Sequence, residues 1–228
     1  MQIVQKSILI VFFSALGLYA VYSQNPAEGR SWQYVATSMP EEWYGTDESL
    51  RVAENVLLYQ RDAGGWPKNI RMHLPLTEPE KARIKDEKGL NDATFDNGAT
   101  ITEMRFLARM YLKTGKSEFR ESFNRGLRFI LDAQYENGGW PMFWPLRKGY
   151  YSHITFNDNA TVNILRLLKD INENRFNLQD ITDSKLLKGS KKAFKMGIDC
   201  ILKTQIIVNG KPTVWCAQHD EHTLKPAG

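Results

Sequence analysis

Apolar residues recur at helical spacing in five stretches of the chain: about 48–60 (Leu50, Ala53, Val56, Leu57), 99–114 (Ile101, Met104, Leu107, Ala108, Tyr111), 117–134 (Phe119, Phe123, Leu127, Ile130, Leu131), 159–173 (Val162, Leu165, Leu168) and 184–205 (Leu187, Ala193, Met196, Ile198, Ile201). Each spacing predicts an amphipathic helix with one buried face. No comparable strand alternation occurs, so an all-α fold is expected. Boundary signals agree with the periodicity: Thr46 or Asp47 can cap the first helix, Thr100 and Glu103 have capping-box spacing, and Thr114-Gly115-Lys116 is a short stop and turn.

The polar segments between these helices repeat. Gln60 to Pro67, ending Gly64-Gly65-Trp66-Pro67, is echoed by Gln134 to Pro141, ending Gly138-Gly139-Trp140-Pro141. Likewise Thr94-Phe95-Asp96-Asn97-Gly98-Ala99-Thr100 is echoed by Thr155-Phe156-Asn157-Asp158-Asn159-Ala160-Thr161. Offsets of 74 and 61 positions suit a helical hairpin plus a long loop, so each repeat is one supersecondary unit. Connections at 61–97, 137–157 and from 206 onward are long, and those at 115–116 and 174–183 are shorter. Antiparallel succession then brings every long connection to one end, giving a helical toroid with one decorated face. The chain stops at Gly228 inside the third long connection. Five helices leave an apolar face without a partner, so a sequence incomplete at its C-terminus is expected.

Composition adds boundaries. Lys6, the apolar run Ile8–Val21 and the small residues before Gln24 suggest a secretory signal over residues 1–23, with an apolar run shorter than the ~20 residues of a membrane span. The expectation is a protein secreted or periplasmic, without stable membrane insertion after cleavage, in which 24–45 leads into a toroid domain at 46–228. Lys and Arg number 30 against 26 Asp and Glu, an excess too mild to argue for nucleic acid. Only Cys200 and Cys216 occur, so no disulfide framework is indicated; the two could pair, but Cys200 fits a buried thiol.

Candidate chemistry gathers on the long connections. The glycines of each Gly-Gly-Trp-Pro turn permit positive φ and the proline fixes the exit, so the tryptophan stands at a defined height, either stacking on a sugar or plugging the toroid. Asp96, Asn97, Asn157, Asp158 and Asn159 precede helices, where they could be ordinary caps. They also offer oxygen donors that suit calcium better than zinc. Lys68, Arg71, Arg147 and Lys148 follow the tryptophan turns and could grip carboxylates of an acidic polysaccharide. His153 could bind substrate or be a hydrogen-bonded loop residue. His219-Asp220-Glu221-His222 is a weak metal candidate because its histidines lie in a loop.

Several strings resemble the pectate lyases of polysaccharide lyase family ten: Gly64 to Asn69, Thr94 to Thr100 with Glu103 to Arg109, Gly138 to Arg147, His153 to Asp158, and Val214 to Asp220. The resemblance implies an (α/α)3 toroid, secretion, calcium dependence and β-elimination of polygalacturonate (pectate). By that analogy Asp96 and Asp158 hold calcium, Asn97 and Thr100 line its site, and Lys68, Arg147 and His153 contact substrate. The family's arginine base is expected beyond Gly228, so no catalytic base is assigned and the chain as it stands could be inactive. A glycoside hydrolase with Asp96 and Asp158 as its acid and base, or a non-catalytic acidic-polysaccharide-binding protein, is the alternative. A monomer is expected.

Overall fold

The computed structural model describes residues 27–227. The expected signal segment lies outside them. Eight α-helices are present among the described residues: α1 (Trp32–Ser38), α2 (Asp47–Tyr59), α3 (Glu78–Asp86), α4 (Ile101–Thr114), α5 (Ser117–Asp132), α6 (Ala160–Asn172), α7 (Leu178–Ile181) and α8 (Ser184–Thr204). The five periodic stretches are α2, α4, α5, α6 and α8. Strands are two residues long: β1 (Ile154–Thr155) pairs antiparallel with β4 (Gln218–His219), and β2 (Ile207–Val208) with β3 (Lys211–Pro212). No described helix is long and apolar enough to cross a membrane.

Helical hairpins build an all-α toroid. Gly115, at φ 70°, caps α4 and turns the chain directly into α5. The α4–α5 and α6–α8 pairs pack along their lengths, α2 lies against α4 and α5, and α5 touches α8. Met104, Phe106, Leu107, Phe123, Leu127, Ile164 and Leu168 are among the side chains fully removed from water between them. The lead-in is part of the same body: α1, capped by Ser31, packs on α4, and Trp32 donates its indole N–H to Glu103 at 2.6 Å.

The repeat is physical as well as textual. Trp66 and Trp140 are wholly buried, and each indole N–H donates to the helix just before its turn, Val56 O at 2.7 Å and Ile130 O at 2.9 Å. They are core plugs, not sugar platforms. Gly64 and Gly138 have φ of 103° and 95°, and a Cβ at either would meet backbone oxygen, that of Arg125 at 2.6 Å or Met196 at 2.0 Å. Side-chain amides of Gln60 and Gln134 brace the turns, donating to Gly64 O and Gly138 O at 2.7 and 3.0 Å.

One of the two expectations about helix starts needs correction. Thr46 does cap α2, accepting from Ser49 N, but Thr100 makes no capping bond. Its hydroxyl instead accepts from Trp66 N at 3.0 Å and donates to Thr94 O at 2.9 Å, at φ 68°. Glu103, its supposed capping-box partner, accepts from the Trp32 indole while the Thr100 N–H also pulls on its carboxyl, so it is the Thr100 hydroxyl that tertiary partners draw away. The capping box that does form is Thr77 with Glu80, at the start of α3 inside the first long connection. Cys200 is buried and Cys216 is free, so they do not pair.

Candidate functional site

The long connections are stitched together on one pole. Thr94 bridges Phe143, Phe95 N donates to Met142 O at 3.0 Å, and Thr94 Oγ1 donates to the same carbonyl at 2.6 Å, joining the first connection to the second. The second is joined to the third by β1 and β4, with Ile154 opposite His219. Residues far apart in the chain therefore share a face.

Two equivalent turns sit at its centre, Asp96–Gly98 and Asn157–Asn159, and they pack against each other. In both the middle residue is left-handed, Asn97 at φ 51° and Asp158 at φ 48°, a conformation that Asn and Asp tolerate better than most residues. Because the turns align Asp96 with Asn157 and Asn97 with Asp158, the two carboxylates occupy different positions of the same turn. Asp96 points inward and is buried: Oδ2 accepts from the Lys68 ammonium, and Oδ1 from Asn97 N at 3.0 Å. Asp158 is exposed, with Asn157 Nδ2 donating to its Oδ2 at 2.8 Å. Asn97 and Asp158 line one cavity of about 290 Å³, to which Gln33 and Thr37 of α1 and Arg105 of α4 also contribute. None of the five Asp and Asn residues caps the helix that follows, since neither α4 nor α6 has a side-chain cap.

The donor chemistry of this pair of turns fits a hard, oxygen-seeking cation, because Asp158, Asn97 and Asn157 bring oxygens without thiol or imidazole. Asp96 already has a cationic partner in Lys68. Asp158 has only an amide, and so is the more available carboxylate.

Arg147 lies on the second connection with its guanidinium 4.6 Å from the Phe143 ring centroid and 5.7 Å from that of Tyr151. Tyr150 packs against Tyr151 with ring centroids 4.1 Å apart and the planes tilted by 37°. Hydrogen bonding to Tyr151 pushes the Tyr150 hydroxyl above the usual phenol range. Thr100 stands beneath the first turn, wholly buried, and acts as a brace.

His153 immediately precedes β1, where the antiparallel β1–β4 register brings it beside Asp220 and Glu221. Its Nδ1 donates to Glu221 Oε2 at 2.8 Å, and one ligand atom from each of the three residues lies within 4.8 Å of the others. Burial opposes ionisation of Glu221, yet hydrogen bonds from His153, its own backbone and Ser152 hold its carboxyl below the usual range. His219 is engaged locally, accepting from Cys216 N through Nε2 and donating to Leu224 O through Nδ1 at 2.9 Å. The histidine that joins the acidic pair is thus His153, not either histidine of the 219–222 run.

Sequence reasoning missed several of these neighbours. Asn69, whose Oδ1 accepts from Asn97 Nδ2 at 3.1 Å, sits just past the first Gly-Gly-Trp-Pro turn, in the Gly64-to-Asn69 string, and was readable there. Glu221 was visible as a carboxylate, but nothing local joined it to His153. Gln33 and Thr37 carried no signal, because a seven-residue helix has too few turns to show a period.

The structure resembles two solved chains of Cellvibrio cellulosa. One is a mutant of its family 10 polysaccharide lyase in complex with trigalaturonic acid, at 35% identity and TM-score 0.72, with 89% of this chain and 58% of that chain covered. The other is that family 10 polysaccharide lyase itself, at 33% identity and TM-score 0.68, with 89% and 57% covered. This chain thus spans less than two thirds of either. No curated protein matches it by sequence. The model of the pectic acid lyase family matches residues 60–228, which hold both repeats and all three stitched connections, and the chain belongs to that family.

Proposed function

We propose that this chain forms the calcium- and uronate-binding part of a pectate lyase site, which cleaves polygalacturonate by β-elimination. The observation that carries the reading is the meeting of the two repeated turns, with Asn97 and Asp158 on one cavity and Lys68 on Asp96 beside it. Family membership and the uronide bound to a similar lyase support the substrate class.

Asp158 and the carbonyl oxygens of Asn97 and Asn157 are the residues to hold calcium. A calcium ion held by these residues would supply charge neutralisation of the uronate carboxylate, and so a more acidic C5 proton. Lys68 balances the buried Asp96 charge and, at 35% side-chain exposure, has an ammonium that can also meet a sugar carboxylate. Arg147, held over two rings, presents a guanidinium suited to a second uronate. His153, fixed by Glu221, supplies a hydrogen-bonding edge farther along the same face. The proton acceptor is the arginine that the resemblance sets in the family's C-terminal part. Secretion to the periplasm or medium, and action as a monomer, complete the proposal.

Titration of trigalacturonate into the protein, with calcium or with a chelator, tests the reading. Calcium-dependent affinity is expected, together with an ultraviolet-absorbing unsaturated product when the polypeptide carries the arginine. Affinity indifferent to chelator, or a saturated product, contradicts it.

A further inference from the structure

The outer wall of the toroid carries a feature that the loop-face chemistry does not use. Along α8, Lys185, Lys188, Lys191, Lys192 and Lys195 are all exposed. Residues three or four apart share a helix face, so Lys185, Lys188, Lys192 and Lys195 form one stripe with Lys191 at its edge. Ten residues of α-helix extend about 15 Å. Among the described residues no hydrogen bond or ion pair engages any of the five ammonium groups.

Such a stripe is unusual in its lack of compensation. A solvated helix face ordinarily alternates charge signs, and like charges three or four apart destabilise it. The only acid within α8 is Asp199, and Asp183 just before the helix is taken by Arg120 at 2.8 Å. At its first turn the stripe adjoins Arg128 of α5 across a depression that also holds Asp132 and Lys185. The helix ends at the loop pole, so this stripe begins at the opposite pole and runs up the side wall.

We infer that the lysine stripe of α8 is a second binding surface for polyuronate, separate from the loop face, which keeps a long acidic polysaccharide on the protein while another stretch of it occupies the turns. The inference rests on the proposed substrate class. A polyuronate presents a carboxylate on each ring, a row of fixed charges that a row of ammonium groups complements, and its binding relieves their mutual repulsion. Tethering raises the effective concentration of polymer at the loop face without any new contact there. An anionic membrane fits less well. Surface-lying helices insert an apolar face, and the apolar face of α8, including Leu186, Ala193 and Cys200, is buried in the protein.

The test compares the protein with a variant carrying Lys185→Gln, Lys188→Gln, Lys191→Gln, Lys192→Gln and Lys195→Gln. All five sites are exposed, so the variant is expected to keep its melting temperature or raise it. In chelator at low salt, the unaltered protein should bind long polygalacturonate with steep salt dependence, and the variant should bind roughly ten-fold or more weakly with a flatter dependence. Trigalacturonate affinity in calcium should match between the two. Equal polymer affinity, parallel loss of trigalacturonate affinity, no polymer binding by the unaltered protein in chelator, or its preference for phosphatidylglycerol vesicles over polymer overturns the inference. Lysine-dependent polymer binding without calcium-dependent trigalacturonate binding keeps this surface and refutes the loop-face reading.

Discussion

The ammonium of Lys68 rests on Oδ2 of Asp96, joining the residue after the first Gly-Gly-Trp-Pro turn to the first residue of the turn before α4. The aspartate side chain is 7% exposed and the lysine side chain 35%, so the pair sits at the boundary of core and loop face. Lys68→Met should leave a buried carboxylate short of its charged partner and cost about 1–3 kcal/mol. Asp96→Asn, which keeps the shape, should cost less stability but still weaken trigalacturonate binding. Denaturant unfolding and calorimetry on both variants check this: equal stability loss with unchanged binding would show the pair to be purely structural.

Trp140 anchors the second repeat as Trp66 anchors the first. With no exposed surface and its indole bonded to Ile130 O, Trp140→Ala should lose about 3–5 kcal/mol while leaving the intrinsic uronide affinity of the remaining folded protein little changed. A variant with normal unfolding and weak binding would make the ring a sugar platform after all.

Gly138→Ala should be nearly as damaging for a different reason. At φ 95° an added Cβ would stand 2.0 Å from Met196 O, so α8 must move from the turn. The expected outcome is a melting temperature well below that of Gly149→Ala, where φ is also positive at 91° but nothing lies within 4 Å. Similar melting temperatures would mean that strain alone, not contact with α8, sets the cost.

Burial pushes the Glu103 carboxyl up to about 7, against the opposing pull of the Trp32 indole and the backbone N–H groups of Glu103 and Thr100. Its ordinary value is 4.5. Below that value native and unfolded chains are both protonated at this group. As pH rises towards 7 the unfolded chain releases the proton and the native one keeps it, so stability falls across this window and then levels off. The whole effect is on the order of 3 kcal/mol. Glu103→Gln should flatten the decline and be the more stable form at pH 8. Parallel stability curves from pH 4 to 9 would contradict this.

The five long helices were legible because each buries a periodic apolar face, and the toroid was legible because its turns are written twice. The lead-in helix was not. Its seven residues bury only Val35 and Ala36, and it is held by single long-range bonds such as Trp32 to Glu103, which leave no periodic trace. Glu103 shows the limit most clearly: in the second repeat its aligned position is Ile164, wholly buried. A capping box and a buried tertiary acceptor have the same spelling, and only the partner's position tells them apart. The loop face was readable as a collection of residue types. Its internal division was not, because Lys68 with Asp96, and His153 with Glu221, are pairings made by loop stitching.

The account turns on whether the paired turns share a cation with a uronide. Calcium titrated calorimetrically into the protein with trigalacturonate present should bind tightly, and Asp158→Ala should weaken that binding by roughly 100-fold, about 2.7 kcal/mol, with the melting temperature preserved. Undiminished calcium binding in Asp158→Ala, or calcium binding that trigalacturonate does not strengthen, would contradict it.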